Sequence, residues 1–341
     1  MRIALDATYS LGDALSGVGV YSRELLLGLA AACPDDRWDW FYRTKAFRGS
    51  LFSPRPGNVT RRLLTDLVGS RSAGLFHGLN QRLPRRRFRL QVATFHDLFV
   101  FSGDYSSAAF RHRFVEQARG AAAGADLIVA VSEFTAGQVQ NYLNIPRDRI
   151  RVIHHGVVPR PIPDLPREKV VLCVGAIQRR KNQTALVRAF RALPDDWTLV
   201  LAGSQGYGAE ETLQAIADSP CASRIRLTGY LSEPEIANWY ARASIFAFPS
   251  LDEGFGMPVL EAMASGIPVI TGTRSALPEV AGNAAILVDP ERDEELAEAL
   301  RLLASNNDVR KQYTNLGKAQ AARFEWADSV RQTRNVYREL L

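Results

Sequence analysis

The 341-residue sequence predicts an α/β fold with two Rossmann-like domains, each built around a parallel sheet. Two segments, one in each half of the chain, carry this prediction. Residues 2–7 form an apolar, strand-like run, and a glycine-containing segment then opens a helix at Ser16. Residues 245–248 form a similar run, which precedes a glycine-rich bend and a helix that starts near Pro258.

The composition predicts a soluble, globular protein. Apolar residues make up 46% of the sequence and charged residues 23%, and no apolar run approaches the ~20 residues of a membrane span. Asp6 comes too early in the chain for a signal peptide. Cys33, Cys173 and Cys221 form no CxxC pair, so we expect a reducing, cytoplasmic location and no metal site.

The positive charge is concentrated in the first half of the chain. Of the net charge of +6, residues 1–151 contribute +8 (21 Lys/Arg against 13 Asp/Glu), and the remainder contributes −2 (21 against 23). The densest basic run is Arg82–Arg89, in which Phe88 is interleaved with arginines. Such a run suits anionic lipid at the inner membrane face or a phosphorylated acceptor, and a solvated arginine loop is the alternative. No nucleic-acid-binding module is recognisable, so nucleic acid is not an expected partner.

Two carboxylates lie in the second strand–loop–helix segment. Glu253 is in the loop and Glu261 is in the helix, with seven residues between them. The free N–H groups of a helix N-terminus form a ready anion site, and carboxylates accept hydrogen bonds from hydroxyl groups. The segment therefore suits a ligand with both phosphates and sugar hydroxyls. For Glu261 alone, a favourable interaction with the helix dipole is the alternative.

A cationic pair lies before another helix of the second half. Arg180 and Lys181 precede a predicted helix over residues 184–192. Cations oppose the dipole at a helix N-terminus, so their presence makes better sense if an anion lies beside them. Surface cations on a loop are the alternative. Upstream, His154 and His155 precede four closely spaced prolines, a pattern that favours an interdomain linker.

The segment from Glu253 to Glu261 resembles the Glu-x7-Glu signature of the retaining glycosyltransferases of family 4 (GT4), with Gly254, Phe255, Gly256 and Pro258 at the intervening positions. The resemblance implies the GT-B fold, in which two Rossmann-like domains face a central cleft. It implies an acceptor-binding domain over residues 1–160 and a donor-binding domain over residues 161–324. It also implies that a helix of about residues 325–341 packs back on the first domain.

The resemblance also implies a role for individual residues of the donor-binding domain. Arg180 and Lys181 resemble the pair that holds the donor diphosphate. Glu253 would bind hydroxyls of the donor sugar, and Glu261 would bind the ribose. The remaining donor contacts implied in this domain are Gly254, Phe255, Gly256, Met257, Tyr230 and Leu231.

In the first domain, the resemblance implies that Gly17, Val18 and Gly19 approach the donor. Taken alone, these residues give only a weak dinucleotide-binding pattern. His96 and Asp97 end an apolar strand, where ligands bind in doubly wound sheets, and His96 resembles the histidine of the GT4 acceptor lobe. We expect His96 to be catalytic, and Asp97 and His77 to contact the acceptor. A structural histidine is the alternative in both positions.

The expected activity is transfer of a hexose from a nucleoside-diphosphate sugar to a glycan or a lipid-linked acceptor. The chain looks most like bacterial mannosyltransferases of polysaccharide assembly, so GDP-mannose is the favoured donor and a UDP-sugar the second choice. No Asp-x-Asp occurs in the sequence, so we expect no metal and no other cofactor. The alternatives are a two-lobed binding protein for sugar nucleotides and an epimerase of the same fold.

Overall fold

The computed structural model describes residues 1–65, 73–158 and 162–341. The chain forms two compact units. The first comprises Met1–Phe101, Ala108–Gly156 and Glu325–Leu341, and the second comprises Ser102–Ser107 and Val157–Phe324. The predicted domain boundary between residues 160 and 161 lies outside the described residues, and the chain changes unit after Gly156.

The strands of the described residues fall into two sets. The strands of the first unit are β1 (Arg2–Asp6), β2 (Arg37–Arg43), β3 (Val59–Leu64), β4 (Leu75–Gly78), β5 (Leu90–Phe95), β6 (Leu127–Ala130) and β7 (Ile150–Val152). Those of the second unit are β8 (Glu168–Val174), β9 (Thr198–Ala202), β10 (Ile225–Gly229), β11 (Ala243–Phe248), β12 (Val269–Gly272) and β13 (Ile286–Val288).

Helices connect these strands along the described chain. The helices up to the end of β7 are α1 (Gly17–Ala32), α2 (Thr44–Ser50), α3 (Phe99–Ser102), α4 (Ala108–Gly124) and α5 (Glu133–Leu143). The helices after β8 are α6 (Gln183–Phe190), α7 (Ala209–Ala217), α8 (Glu233–Arg242), α9 (Met257–Ala264), α10 (Leu277–Ala281), α11 (Asp293–Ser305), α12 (Asn307–Ala321) and α13 (Trp326–Leu340).

Both sheets are parallel and share one topology. The first has the order β3-β2-β1-β4-β5-β6-β7, and the second has the order β10-β9-β8-β11-β12-β13. Each sheet grows outward in both directions from its first strand, as in a doubly wound nucleotide-binding fold. The prediction of two Rossmann-like parallel sheets is confirmed.

The C-terminal helix α13 belongs to the first unit. It packs against α1, and its buried Val330, Val336 and Tyr337 join the main apolar core of that unit. The chain leaves the second unit after Phe324 and continues in the first, so α12 and α13 are separate helices in different units. The sequence also did not predict that residues 102–107 would belong to the second unit.

Candidate functional site

The strand order of the second unit reverses between β8 and β11. In open α/β sheets, ligands bind beyond the carboxyl ends of the two strands at such a reversal. A 3₁₀ turn at Arg179–Lys181 follows β8, and the loop that holds Glu253 follows β11. The topology therefore brings predicted site residues from distant parts of the sequence to one edge of the sheet.

Lys181 and Glu253 form a buried ion pair at this edge. Their side chains are 10% and 9% exposed, and Lys181 Nζ donates a hydrogen bond to Glu253 Oε1. The ammonium group also lies 5.0 Å from the ring centroid of Phe248, the last residue of β11. These two contacts hold the Lys181 charge at the carboxyl end of the strands.

Arg180 completes the charged cluster. Its Nη1 lies 3.3 Å from Glu253 Oε2 and 3.0 Å from the backbone oxygen of Asp252, and its side chain is 15% exposed. Burial alone would raise the pKa of Glu253, but the charges of Lys181 and Arg180 lower it below its usual range. Glu253 is therefore a carboxylate at neutral pH and is matched against two cations.

Helix α9 begins close to this cluster in the sequence, directly after the Glu253–Gly256 bend. Gly256 is its N-cap residue with a φ of +103°, and a glycine has no side chain with which to cap the helix. The positive φ favours glycine, and a Cβ atom here would lie 2.9 Å from Leu277 Cδ2 and would require that side chain to move. Phe255 is buried and packs edge-on against Phe324. Pro258 has no N–H group and the Val259 N–H donates to the Gly256 carbonyl oxygen over 3.0 Å, so an anion site at this helix end stays a prediction.

Glu261 lies in the second turn of α9. The hydroxyl of the buried Tyr240 donates to Glu261 Oε2 over 2.9 Å, which fixes the orientation of the carboxylate. Tyr230 and Leu231 follow β10, two strands away from β8, and the Tyr230 ring is 55% exposed. The donor contacts of these three residues stay predictions.

In the first unit, the Gly17–Gly19 segment is the first turn of α1. Ser16 caps the helix and accepts a hydrogen bond from the Gly19 backbone N–H over 3.3 Å. A Cβ atom on Gly19 would lie 2.9 Å from the Tyr9 carbonyl oxygen, so the packing of the unit itself accounts for this glycine. Gly17 and Val18 are not buried, and their donor contact stays a prediction.

His96 lies just after β5 and is 8% exposed. Its Nε2 lies 3.0 Å from the Leu79 carbonyl oxygen, which can only accept, so Nε2 carries the proton. Burial lowers the pKa of His96 to about 4, although the bond to Leu79 opposes this shift. The ring is therefore neutral at pH 7, with a lone pair on Nδ1. The half-buried Asp97 follows it, and the acceptor roles of both residues stay predictions.

The structure does not support the acceptor contact predicted for His77. The ring is fully buried, with Nδ1 2.6 Å from the Tyr337 hydroxyl and Nε2 2.8 Å from Thr94 Oγ1. Burial also lowers the pKa of His77 to about 3. Since both nitrogens are paired inside the unit, His77 ties β4 to β5 and α13, which is the structural alternative.

Phe88, which lies in the basic run Arg82–Arg89, is a core residue. Phe88 is 3% exposed and packs against Phe41 and Phe76, with ring centroids 5.9 and 4.8 Å away. It therefore belongs to the core and cannot supply an apolar contact to a lipid surface. Arg87 pairs with Asp126 over 2.8 Å. The membrane contact stays a prediction that would have to rest on the arginines.

Sequence reasoning missed two neighbours of the predicted site residues. His155, interpreted as part of a linker, is 4% exposed and stacks on His96 with ring centroids 5.4 Å apart. Asp252 is buried next to Glu253, and its carboxylate accepts a hydrogen bond from the Ser102 hydroxyl. Asp252 could have been predicted as a site residue, because it directly precedes the Glu-x7-Glu segment. No nearby residue predicts the burial of His155, because that burial depends on the distant Tyr21 and Trp326.

Comparison with known proteins identifies the family. Residues 15–160 match the family described as Glycosyltransferase Family 4, and residues 160–320 match Glycosyl transferases group 1. The chain is 31% identical over 284 residues to O-antigen chain mannosyltransferase B of Escherichia coli, an alignment that covers 78% of this chain and 74% of that protein. The chain belongs to the family 4 glycosyltransferases.

Two further relatives of this glycosyltransferase are informative. Serotype-specific mannosyltransferase WbdA of Escherichia coli is 28% identical over 60% of this chain, which spans only 28% of that longer protein. Sucrose-phosphate synthase from Thermosynechococcus elongatus superposes with a TM-score of 0.81 over 99% of this chain and 98% of that one, at 22% identity. The structural match shows the GT-B fold.

The described residues of this glycosyltransferase contain neither a candidate membrane span nor a candidate metal site. Among them, no helix has both the length and the apolar character needed to cross a membrane. No group of three or more His, Cys, Asp or Glu side chains in the described ranges is arranged to hold a metal ion.

Proposed function

We propose that this glycosyltransferase transfers mannose from GDP-mannose to a glycan or a lipid-linked saccharide, with retention at the anomeric carbon and without a divalent metal. The observation that supports this most is the cluster of Arg180, Lys181 and Glu253 at the strand reversal of the second unit. Two cations and a carboxylate there match the phosphates and the hydroxyls of a nucleotide sugar. The mannosyltransferase names of the relatives favour mannose.

Breakage of the glycosidic bond leaves a negative charge on the β-phosphate of the nucleotide. In our proposal, Lys181, Arg180 and the N–H groups of residues 254–257 stabilise this charge. Such donors are effective because they are already oriented before the reaction and are shielded from water.

Glu253 would accept hydrogen bonds from hydroxyls of the donor sugar, since its lowered pKa keeps it ionised at neutral pH. Glu261, already oriented by Tyr240, would accept hydrogen bonds from the ribose hydroxyls. The exposed Tyr230 ring and Leu231 would contact the base. Each assignment follows from the chemistry of the side chain and from the resemblance to the family.

In the first unit, we assign acceptor positioning to His96 and Asp97. A neutral His96 ring has an Nδ1 lone pair that can accept a hydrogen bond from a sugar hydroxyl, and it provides no positive charge at pH 7. The resemblance to the family supplies no enzyme nucleophile, so the proposed step is displacement on the same face of the sugar. The acceptor hydroxyl attacks the anomeric carbon from the face at which the diphosphate leaves, and the hydroxyl proton passes to an oxygen of the departing β-phosphate.

Replacement of Glu261 tests the ribose contact. We expect Glu261→Ala to weaken GDP binding about 10–100-fold, because a hydrogen bond to a charged group contributes about 1.5–3 kcal/mol. The measurement is calorimetric titration of GDP into each protein. Glu298→Ala, which removes an exposed glutamate of α11, should bind GDP like the wild type. Wild-type affinity in the Glu261 variant would exclude the ribose contact.

Slow hydrolysis of the donor in the absence of acceptor tests the activity itself. We expect release of free mannose from GDP-mannose, faster than release of sugar from UDP-glucose, and the same rate after treatment with EDTA. A sugar-nucleotide binding protein would release no sugar, and an epimerase would convert the donor without releasing sugar. Loss of hydrolysis on chelation, restored by Mg²⁺ or Mn²⁺, would contradict the metal-independent mechanism.

A further inference from the structure

The first unit contains a pocket of about 540 Å³, and Arg82, the first residue of the basic run, is part of its lining. It lies between the segment after β4 and one side of α4. Its lining residues are Asn80, Gln81, Arg82, Phe110, Arg113, Phe114 and Gln117. Because the strand order of this sheet reverses between β1 and β4, the pocket lies after one of the two strands where ligands bind. Its volume is typical of pockets for small molecules.

The charge of the lining is positive. Arg82 and Arg113 are its only ionisable members, and none of the seven lining residues is acidic. Arg82 Nη1 donates to the Tyr9 hydroxyl over 3.2 Å, and Arg113 Nε donates to the Ala109 carbonyl over 3.3 Å. A guanidinium group has five N–H donors in a planar fork, so each arginine retains donors that match a carboxylate or a phosphate.

Gln81 provides an independent indication of a ligand. It is 4% exposed, and its side-chain Oε1 is buried without a hydrogen-bond partner in the described structure. Its backbone N–H donates to Asn80 Oδ1 over 2.8 Å, which holds the segment in place. Buried polar atoms are nearly always paired, so an unpaired acceptor in a pocket wall indicates a donor that binds there, such as a sugar hydroxyl.

Aromatic rings form another part of the wall. Phe110 and Phe114 have ring centroids 5.8 Å apart, and Phe110 stacks on Phe99 with an interplanar angle of 21°. Phe110 is 41% exposed, so part of this apolar surface is uncovered. Flat, rigid rings beside amides and arginines suit a ligand with an apolar ring face, several hydroxyls and a negative charge.

We propose that this pocket binds the acceptor as an anionic saccharide, with a phosphate or carboxylate group held by Arg82 and Arg113. A hydroxyl of the same saccharide pairs with Gln81 Oε1, and its ring packs on Phe110 and Phe114. The inference rests on the proposed function, because it names the class of acceptor that the transferase uses. It adds the requirement that the acceptor be negatively charged, which the fold alone does not impose.

Ligand-observed NMR titrations of the full chain with three probes test the proposal. The probes are methyl α-mannopyranoside, mannose 6-phosphate and methyl glucuronide, so that the last two distinguish phosphate from carboxylate. We expect at least one anionic sugar to bind about tenfold or more tightly than the neutral one. Equal affinity for all three probes would overturn the requirement for charge.

Matched variants locate the binding site. Arg113→Gln should lose the preference for the anionic sugar, whereas Arg119→Gln, which removes an exposed charge from the same helix, should keep it. Gln81→Leu should weaken binding of all three probes and should not lower the melting temperature, since it removes an unpaired acceptor. Two results would contradict the proposal. One is an Arg113→Gln variant that binds the anionic sugars like the wild type, and the other is loss of anionic-sugar binding in Lys181→Ala.

A GDP titration separates this proposal from the proposed function. Arg113→Gln and Gln81→Leu should bind GDP with the wild-type affinity, because the pocket is formed by residues of the first unit alone. If the wild type binds anionic sugars through Arg113 but does not bind GDP, the donor assignment fails and the pocket stands. If it binds GDP but shows no preference for an anionic sugar, the pocket proposal alone fails.

Discussion

Lys181→Met is expected to lower turnover by about 10²–10³-fold, the typical loss when one preorganised donor to a developing negative charge is removed. Methionine retains an unbranched apolar stem, so the packing of the side chain near Phe248 should survive while the positive charge is lost. The measurement is kcat and KM for transfer or for donor hydrolysis. We expect the loss mainly in kcat, because the charge on the leaving diphosphate grows in the transition state.

The controls for Lys181→Met address charge and folding. Lys169→Met removes an exposed lysine of the same unit, which pairs with Asp196, and should leave turnover unchanged. The fold of Lys181→Met should persist because Arg180 still contacts the Glu253 carboxylate. Turnover within a factor of about three of the wild type would remove Lys181 from the leaving-group role.

Among the substitutions proposed for this protein, Glu253→Gln is expected to lower the free energy of unfolding most. It leaves Lys181 and Arg180 largely buried without their shared carboxylate, and breaking a buried ion pair in this way costs about 3–5 kcal/mol. Adding Lys181→Met to Glu253→Gln should restore part of this loss, because it removes one of the two unpaired cations. The free energies of unfolding of the single and double variants, measured in urea, show whether the second substitution raises the stability of Glu253→Gln as expected.

The stability difference between the wild type and Glu253→Gln should depend on pH. Because the pKa of Glu253 is lowered in the folded protein, the carboxylate stabilises the fold fully above its pKa in the unfolded chain, about 4.3. That contribution is lost as the pH falls through the lower, folded pKa. We expect a constant difference from pH 7 to about 5 and a decrease below pH 4. A difference that does not change down to pH 2 would contradict the ion pair.

Local patterns were enough to predict the loop and the helix on which the proposed donor contacts lie. The glycines around Phe255, the proline at the start of α9 and the helical spacing after it are all encoded within about twenty residues. The contact between Lys181 and Glu253 is not local, because it joins residues 72 positions apart in the sequence. It arises from the strand order, in which β8 and β11 become neighbours. The resemblance to the family supplied what the local patterns lacked.

Sequence patterns say least about residues whose environment depends on distant partners. His77 and His96 both stand at the ends of apolar strands, and the sequence around them does not show that His77 is covered by Tyr337, 260 residues away. Phe88 lies among arginines, yet it packs into a cluster with Phe41 and Phe76 from other strands. The environment of His77 is therefore set by α13, and the environment of Phe88 by β2 and β4. Neither could be predicted from the neighbouring sequence.

The structure of the complex with an intact nucleotide sugar would show whether Lys181 and Glu253 bind the donor. With GDP-mannose bound, we expect a β-phosphate oxygen within hydrogen-bonding distance of Lys181 Nζ and of a backbone N–H between Gly254 and Met257. We expect a sugar hydroxyl at the Glu253 carboxylate. A diphosphate that binds elsewhere, with the Lys181–Glu253 ion pair intact and without contact to the ligand, would contradict the proposed donor-binding role of this pair.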